Sequence, residues 1–358
     1  MEIHFLGTGA AHPSPTRGAS SLVVRLPSGS CWMFDCGEGT QTQLMKSNIR
    51  PGKLDKIFIT HLHGDHLFGL PGLLCTISLN SPDGRSAVHL YGPKGLGHYL
   101  TSALTTSGSF LSFSCVIHEL CPADDTVDKH QTGVSPETSE NNIQISQIFP
   151  TSKMTWNVFD NDNMAVSAAE LKHRITCYGY VIQEGDLPGR LNAELLKSKG
   201  IPPGPLYAKI KSGQCIYTED GSEIRPEDVL SPPPAGQKIV ILGDTCNSEQ
   251  IMNLAMNADV LIHEATNENS HQEKCIENGH STPGMAVHFA KSIQAKKLIL
   301  THFSQRYKGQ DEVLKAGEES VLKLLQEAKD EFDNVIAAQD MLVVNIKRTK
   351  KTEQLVSS

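Results

Sequence analysis

Apolar residues in this chain come in short runs, several closed by glycine, proline or aspartate and the others by a polar residue. Such runs read as buried strands bounded by turns. Near the N-terminus they cover residues 2–6, 21–26 and 31–34, the last two separated by Pro27-Ser28-Gly29-Ser30. Further strands are expected at 57–59, 88–91, 113–120, 166–171 and 178–182, and a last one near 341–346. Helical spacing appears at 40–47, 95–102, 285–293 and 312–329. Residues 69–79 are apolar on most sides, which marks a buried helix. The second half repeats one unit. Strands at 238–242, 260–262 and 297–300 each deliver polar residues at their carboxyl ends: Asp244, then His263-Glu264-Ala265-Thr266, then His302. Alternating strands and helices predict an α/β fold, whose ligand sites gather at the carboxyl ends of the strands.

Two stretches break the pattern within a single domain expected over 1–358. Residues 119–165 are rich in Asp, Glu, Ser, Thr, Asn and Gln, and read as a solvated acidic insertion. Residues 185–215 read as a flexible arm. Pro202-Pro203-Gly204-Pro205 cannot sit inside a helix or a central strand. Between Arg190 and Lys211 the arm carries Arg190, Lys197, Lys199, Lys209 and Lys211 against the single acid Glu194. The whole chain has a formal net charge of −8, so a basic projection stands out, and it suits a phosphate backbone. Arg17, in the loop Pro13-Ser14-Pro15-Thr16-Arg17-Gly18, is a second candidate phosphate contact.

The nine cysteines are scattered, with no CxxC pair. They predict reduced thiols and a cytosolic or nuclear protein. The N-terminus reads as a strand rather than a signal peptide, and no apolar run is long enough for a bilayer, so no membrane partner is expected.

The densest chemistry lies in His61-Leu62-His63-Gly64-Asp65-His66, directly after a buried strand. His61 and His63 project to one side of extended backbone. Gly64 then lets the chain turn, returning Asp65 and His66 to the same neighbourhood. Imidazole and carboxylate together suit zinc, with manganese or iron as alternatives. Asp35, at a strand end, reads equally as a partner for a ligand histidine or as a turn cap. His173, Asp244 and His302 also follow strand ends, and His280 lies on a loop before a helix.

In order and spacing this set resembles the metallo-β-lactamase-fold hydrolases, an αββα sandwich. The resemblance runs to about Arg306. Carried over, it implies one zinc on His61, His63 and His173, a second on Asp65, His66 and His302, and Asp244 bridging both. More specific stretches resemble the short form of tRNase Z: Asp35-Cys36-Gly37-Glu38-Gly39-Thr40, His280-Ser281-Thr282, His263-Glu264-Ala265-Thr266 and Pro203-Gly204-Pro205. That resemblance implies a zinc endoribonuclease that removes the 3′ trailer from tRNA precursors, leaving a 3′-hydroxyl on the tRNA and a 5′-phosphate on the trailer. The arm would be an exosite for tRNA, including Pro203, Gly204 and Pro205, and the protein a homodimer. Water activated by the metal pair would attack with help from Asp65. His280, oriented by Glu264, would protonate the leaving oxygen. The chain departs from the family after His173, where it reads Arg174-Ile175-Thr176, and in the first loop, so discrimination against mature CCA ends is left open. A glyoxalase II-like thioesterase shares the paired-metal ligands but leaves the His280/Glu264 pair and the arm without a use. A non-catalytic RNA-binding partner would have lost ligands, and none is lost.

Overall fold

The computed structural model describes residues 1–80, 87–122, 142–151, 154–161, 163–187, 189–232 and 234–348. The chain divides into two compact units, one formed by 1–160, 166–182 and 238–346, the other by 161–165, 183–237 and 347–358.

The larger unit is built on two large sheets, with a small two-stranded one of Tyr307–Lys308 and Glu319–Ser320 besides. In the first the order is Val343–Asn345, Glu2–Gly7, Ser21–Arg25, Cys31–Phe34, Leu54–Phe58, Val88–Pro93, Cys115–Leu120, Ile143–Ile148. From Cys31–Phe34 onward its neighbours run parallel. In the second the order is Val335–Ala337, Leu298–Thr301, Val260–Glu264, Lys238–Leu242, Cys177–Glu184, Met164–Leu171, Thr155–Asp160. Its first four strands are parallel, so their carboxyl ends lie along one edge. Aromatic rings join the two sheets: Tyr180 meets Phe34 and Phe58 edge-on, at centroid distances of 5.9 and 5.4 Å. The outer faces are covered by helices. Leu70–Leu79 and Leu96–Thr106 pack on the first sheet, and Pro283–Ser292 and Val321–Lys329 on the second. This is the αββα sandwich. Parallel strands buried on both faces explain why their sequences are unbroken apolar runs rather than alternating ones.

The stretch 119–165, read as a solvated acidic insertion, supplies strand instead over much of its described part. Ile143–Ile148 pairs with Cys115–Leu120 at the edge of one sheet, and Thr155–Asp160 edges the other. An edge strand buries little, and of the three isoleucines interspersed with polar residues in Ile143–Ile148 only Ile143 is buried. Residues 123–141, the acidic part, lie outside the described residues. The helix expected over 312–329 begins only at Val321, where the Ser320 hydroxyl accepts from the Leu322 N–H.

The smaller unit has its own apolar centre of Leu196, Ile201, Ile210, Ile216, Ile224 and Val229. The arm expected over 185–215 is thus part of a longer folded excursion. Pro205 opens the helix Pro205–Lys211, at a position where its missing N–H costs nothing. All nine cysteines are free, and among the described residues no helix is long and apolar enough to cross a membrane.

Candidate metal centre and catalytic cleft

The strand Leu54–Phe58 leads into Thr60 and His61, both buried. Gly64–Leu67 forms a single helical turn that folds Asp65 and His66 back beside them. From the second sheet, His173 follows Met164–Leu171, Asp244 follows Lys238–Leu242, and His302 follows Leu298–Thr301. The two sheets touch at this edge, where the Tyr178 N–H donates to the Thr60 carbonyl at 2.9 Å. Gly243 lies in the seam. A Cβ there would stand 2.6 Å from Cys177 Sγ and 2.7 Å from Thr60 Cβ, so the approach needs glycine.

All seven residues read from the sequence as ligands converge. His61, His63, His173 and Asp244 each bring one ligand atom within 4.8 Å of the others, and so do Asp65, His66 and His302. His173 Nε2 lies 3.2 Å from His63 Nδ1, and His66 Nε2 lies 3.2 Å from His302 Nε2. Asp244 faces both groups. Its Oδ2 is 3.6 Å from His61 Nε2, and its Oδ1 is 3.3 Å from His302 Nε2 and 3.5 Å from His66 Nε2. Asp65 Oδ2 is 3.4 Å from His302 Nε2 and accepts from the Ala11 N–H at 2.7 Å.

The outer nitrogens show that the donor set fits metal. His66 Nδ1–H donates to Asp35 Oδ2 at 2.7 Å, and His173 Nδ1–H to the Gly279 carbonyl at 2.7 Å. The Thr60 hydroxyl gives its one proton to Asp35, at 2.9 Å, so it accepts from His61 Nδ1 at 3.0 Å. The Thr266 hydroxyl gives its proton to Glu264 at 2.5 Å, so it accepts from His302 Nδ1 at 3.1 Å. Four rings are therefore protonated on the outside and turn a bare Nε2 lone pair inward. This is the tautomer that metal ligation requires. His61 Nε2 is buried with no hydrogen-bond partner, which without an ion costs about 1–3 kcal/mol. Burial, reinforced by the neighbouring His66, holds the His61 imidazole well below its ordinary range, in the neutral form that binds metal. Burial works against the Asp244 charge, and it is positive charge on His302, His66 and His61 that lowers its pKa, a part that bound cations would take over once these rings turn neutral nitrogens to them. Asp35 and His302 both sit at positive φ, 58° and 56°, a strained backbone that aims their side chains at this point.

Beside the ligands lies an ion pair between buried Glu264 and half-buried His280. Glu264 Oε1 accepts from His280 Nδ1 at 3.1 Å and from the Thr245 N–H at 2.8 Å. With Oε2 taken by Thr266, the carboxylate is spent on holding its neighbours. Burial alone would lower the His280 pKa, but the Glu264 charge and hydrogen bond raise it to about 9. His280 borders a cleft of about 550 Å³ that also reaches Ala11, Pro13, Phe68, Arg174 and Gln305. His263 is buried and its Nδ1–H donates to the Glu264 carbonyl at 2.8 Å, a packing role.

The predicted substrate contacts divide. Arg190, Lys197, Lys199, Lys209 and Lys211 are exposed, as are Pro203, Gly204 and Pro205. Arg17 is not a surface group. It is 7% exposed, and its guanidinium lies 5.6 Å from the Phe303 ring centroid. Asp340, which accepts from the Gly18 N–H at 2.6 Å, supplies the nearby charge that draws it inward. The sequence reading passed over Thr60 and Thr266. Their signal was adjacency, one beside His61 and the other two residues past Glu264. It also passed over Phe68.

Comparison with known proteins agrees with this geometry. A family model described as "Anti-Pycsar protein Apyc1" matches residues 1–110. The "Zinc phosphodiesterase ELAC protein 1" of Bos taurus is 45% identical over 97% of this chain and 98% of its own length. The "Ribonuclease Z" of Bacillus licheniformis is 40% identical over 98% of this chain and all of its own. The crystal structure of human tRNase Z, short form, superposes with a TM-score of 0.67 at 37% identity, over 97% of this chain and all of that one. With likeness to these relatives running nearly end to end, the chain belongs to the short-form tRNase Z family and has its metallo-β-lactamase fold.

Proposed function

We propose that this protein is a zinc-dependent endoribonuclease that removes the 3′ trailer from tRNA precursors, leaving a 3′-hydroxyl on the tRNA and a 5′-phosphate on the trailer. One observation carries the reading: seven candidate ligands converge beside His280, which lines the cleft and is held by buried Glu264. A family whose members are called ribonuclease Z and tRNase Z supports the substrate.

His61, His63 and His173 would hold one zinc, Asp65, His66 and His302 a second, and Asp244 both. Bound zinc supplies Lewis-acid charge at the phosphoryl oxygens and makes water acidic enough to attack at neutral pH. Asp65, fixed by the Ala11 N–H, orients the attacking water and accepts its proton. As the P–O3′ bond breaks, His280 gives its Nε2 proton to the departing ribose oxygen. Its Nδ1 stays on Glu264, which keeps the ring charged and aimed. Glu264 is thus a positioning residue. The exposed cations of the smaller unit grip the tRNA backbone, and a homodimer of the cytosol or nucleus is the assembly we infer. The thioesterase alternative gives the Glu264–His280 pair no task.

The test is cleavage of an end-labelled tRNA precursor, with and without chelator, followed by end-group analysis. Chelator-sensitive cleavage at the trailer junction with the stated ends supports the reading. Turnover of thioesters with intact precursor RNA would overturn it.

A further inference from the structure

The Phe68 ring is 62% exposed, although Leu67, Leu70, Leu73 and Leu74 on either side of it in the chain are buried. Leaving it in water forgoes hydrophobic stabilisation, so the ring is not placed for packing. Neither is it loose. The Phe68 N–H donates to the Gly64 carbonyl and the Gly69 N–H to the Cys36 carbonyl, both at 2.9 Å. A Cβ on Gly69 would lie 2.1 Å from the Gly37 oxygen, and one on Gly64 would lie 2.3 Å from the ring itself. Two glycines thus let the backbone close in and the ring lie flat on bare Cα. Tyr99 backs it, with the rings inclined by 21° and their centroids 6.4 Å apart.

Phe68 is the one Phe, Tyr or Trp among the described residues that line the cleft, and Arg174 the one Lys or Arg. The remaining wall is mainly imidazole, carboxylate, small side chains and backbone, and of its neutral polar groups Gln305 already donates to the His12 carbonyl and Thr266 to Glu264. Such a wall offers a nucleic acid strand little for base-edge readout, but the open aromatic face offers stacking, which every base accepts. The position selects the nucleotide. Asp65, three residues before Phe68, lies 3.4 Å from His302, whose ring lies 5.6 Å from that of His280. Phe68 closes the helical turn that carries Asp65, so its ring borders the cleft on the Asp65 side. His280 serves the oxygen that leaves with the tRNA, which leaves the Asp65 side to the strand beyond the cut.

We propose that Phe68 is a stacking platform for the first nucleobase of the trailer. The proposal rests on the nuclease reading above and adds a subsite to it. The ring is a binding group, acting on the strand and not on the reacting atoms.

The experiment is a double-mutant cycle on kcat/KM, using the zinc-loaded full chain. Wild type and Phe68→Ala are each assayed on a tRNA precursor with an intact trailer and on the same RNA with an abasic first trailer nucleotide. Phe68→Ala should cost about 5- to 150-fold on the intact RNA, the range that one base–aromatic stack spans. The penalty should shrink to less than about twofold on the abasic RNA, as expected when one partner of a coupled pair is already gone. Phe68→Trp should restore turnover, whereas Phe68→Leu, apolar but without a π face, should not. Zinc content and circular dichroism confirm that each variant is folded. An equal penalty on both RNAs overturns the proposal. So does coupling to an abasic site placed before the cut instead of after it. A change in sedimentation with equal loss on both RNAs would assign the ring to a protein interface. A wild-type enzyme that cuts neither RNA sinks the nuclease reading and the platform with it; one that cuts both, with Phe68→Ala indistinguishable, sinks the platform alone.

Discussion

Replacing His280 should hurt in proportion to how badly the leaving group needs a proton. A ribose 3′-oxygen is a strongly basic leaving group, whereas p-nitrophenolate departs unaided. The His280→Ala variant should therefore lose about 10²- to 10⁴-fold in kcat on tRNA precursor, the usual worth of a positioned general acid. It should lose no more than a few-fold on bis(p-nitrophenyl) phosphate. Glu264→Gln separates charge from shape. With Glu264 present the imidazole titrates near 9, so at pH 7.5 about 97% of it carries the proton. Without that carboxylate, burial pulls the pKa back down against the more distant Asp244 charge, and the protonated fraction falls toward about a tenth, its value for an ordinary imidazole of pKa ~6.5. Glu264→Gln should then cost up to about tenfold on tRNA precursor at pH 7.5. Most of that loss should return at pH 6, because the donor form refills as pH falls. The assay is single-turnover cleavage across pH for both substrates. Equal losses on the two substrates, or a Glu264→Gln deficit that does not shrink toward acid, would refute the assignment.

Other predictions rest on separate observations. Dialysis against chelator should lower Tm and abolish cleavage, zinc should restore both, and elemental analysis should count two ions per chain, falling to one or none in Asp244→Asn, whose amide cannot bridge as a carboxylate does. Gly243→Ala should destabilise the fold by about 1–3 kcal/mol through overpacking at Cys177 and Thr60; an unchanged denaturation midpoint would contradict the close approach of the sheets. Replacing Lys197, Lys199, Lys209 and Lys211 by alanine should raise KM for tRNA and flatten its salt dependence by about 0.7–0.9 log units for each phosphate no longer neutralised, with small diesters unaffected. Arg17→Ala should lower Tm by several degrees without raising KM for tRNA, since the guanidinium is packed on Phe303 rather than offered to solvent.

Much of this protein was legible along the chain. A strand buried on both faces must be an apolar run, and a ligand at its end must be polar, so Asp244, His302 and the His61–His66 cluster announced themselves by where the apolar runs stop. Local period and composition carry that information because burial imposes them residue by residue. Other properties depend on distances between residues remote in sequence, which only packing sets. The Nδ1 protons of His61 and His302 were decided by where Thr60 and Thr266 send their single hydroxyl protons. The arginine in the first loop looked like a surface cation until Asp340, more than three hundred residues away, appeared beside it. Ile143–Ile148 intersperses isoleucine with polar residues, and only its pairing at the sheet edge shows that it is a strand rather than solvated chain. The raised pKa of His280 has no local signature at all, since it comes from Glu264, which the second sheet brings to within 3.1 Å of it.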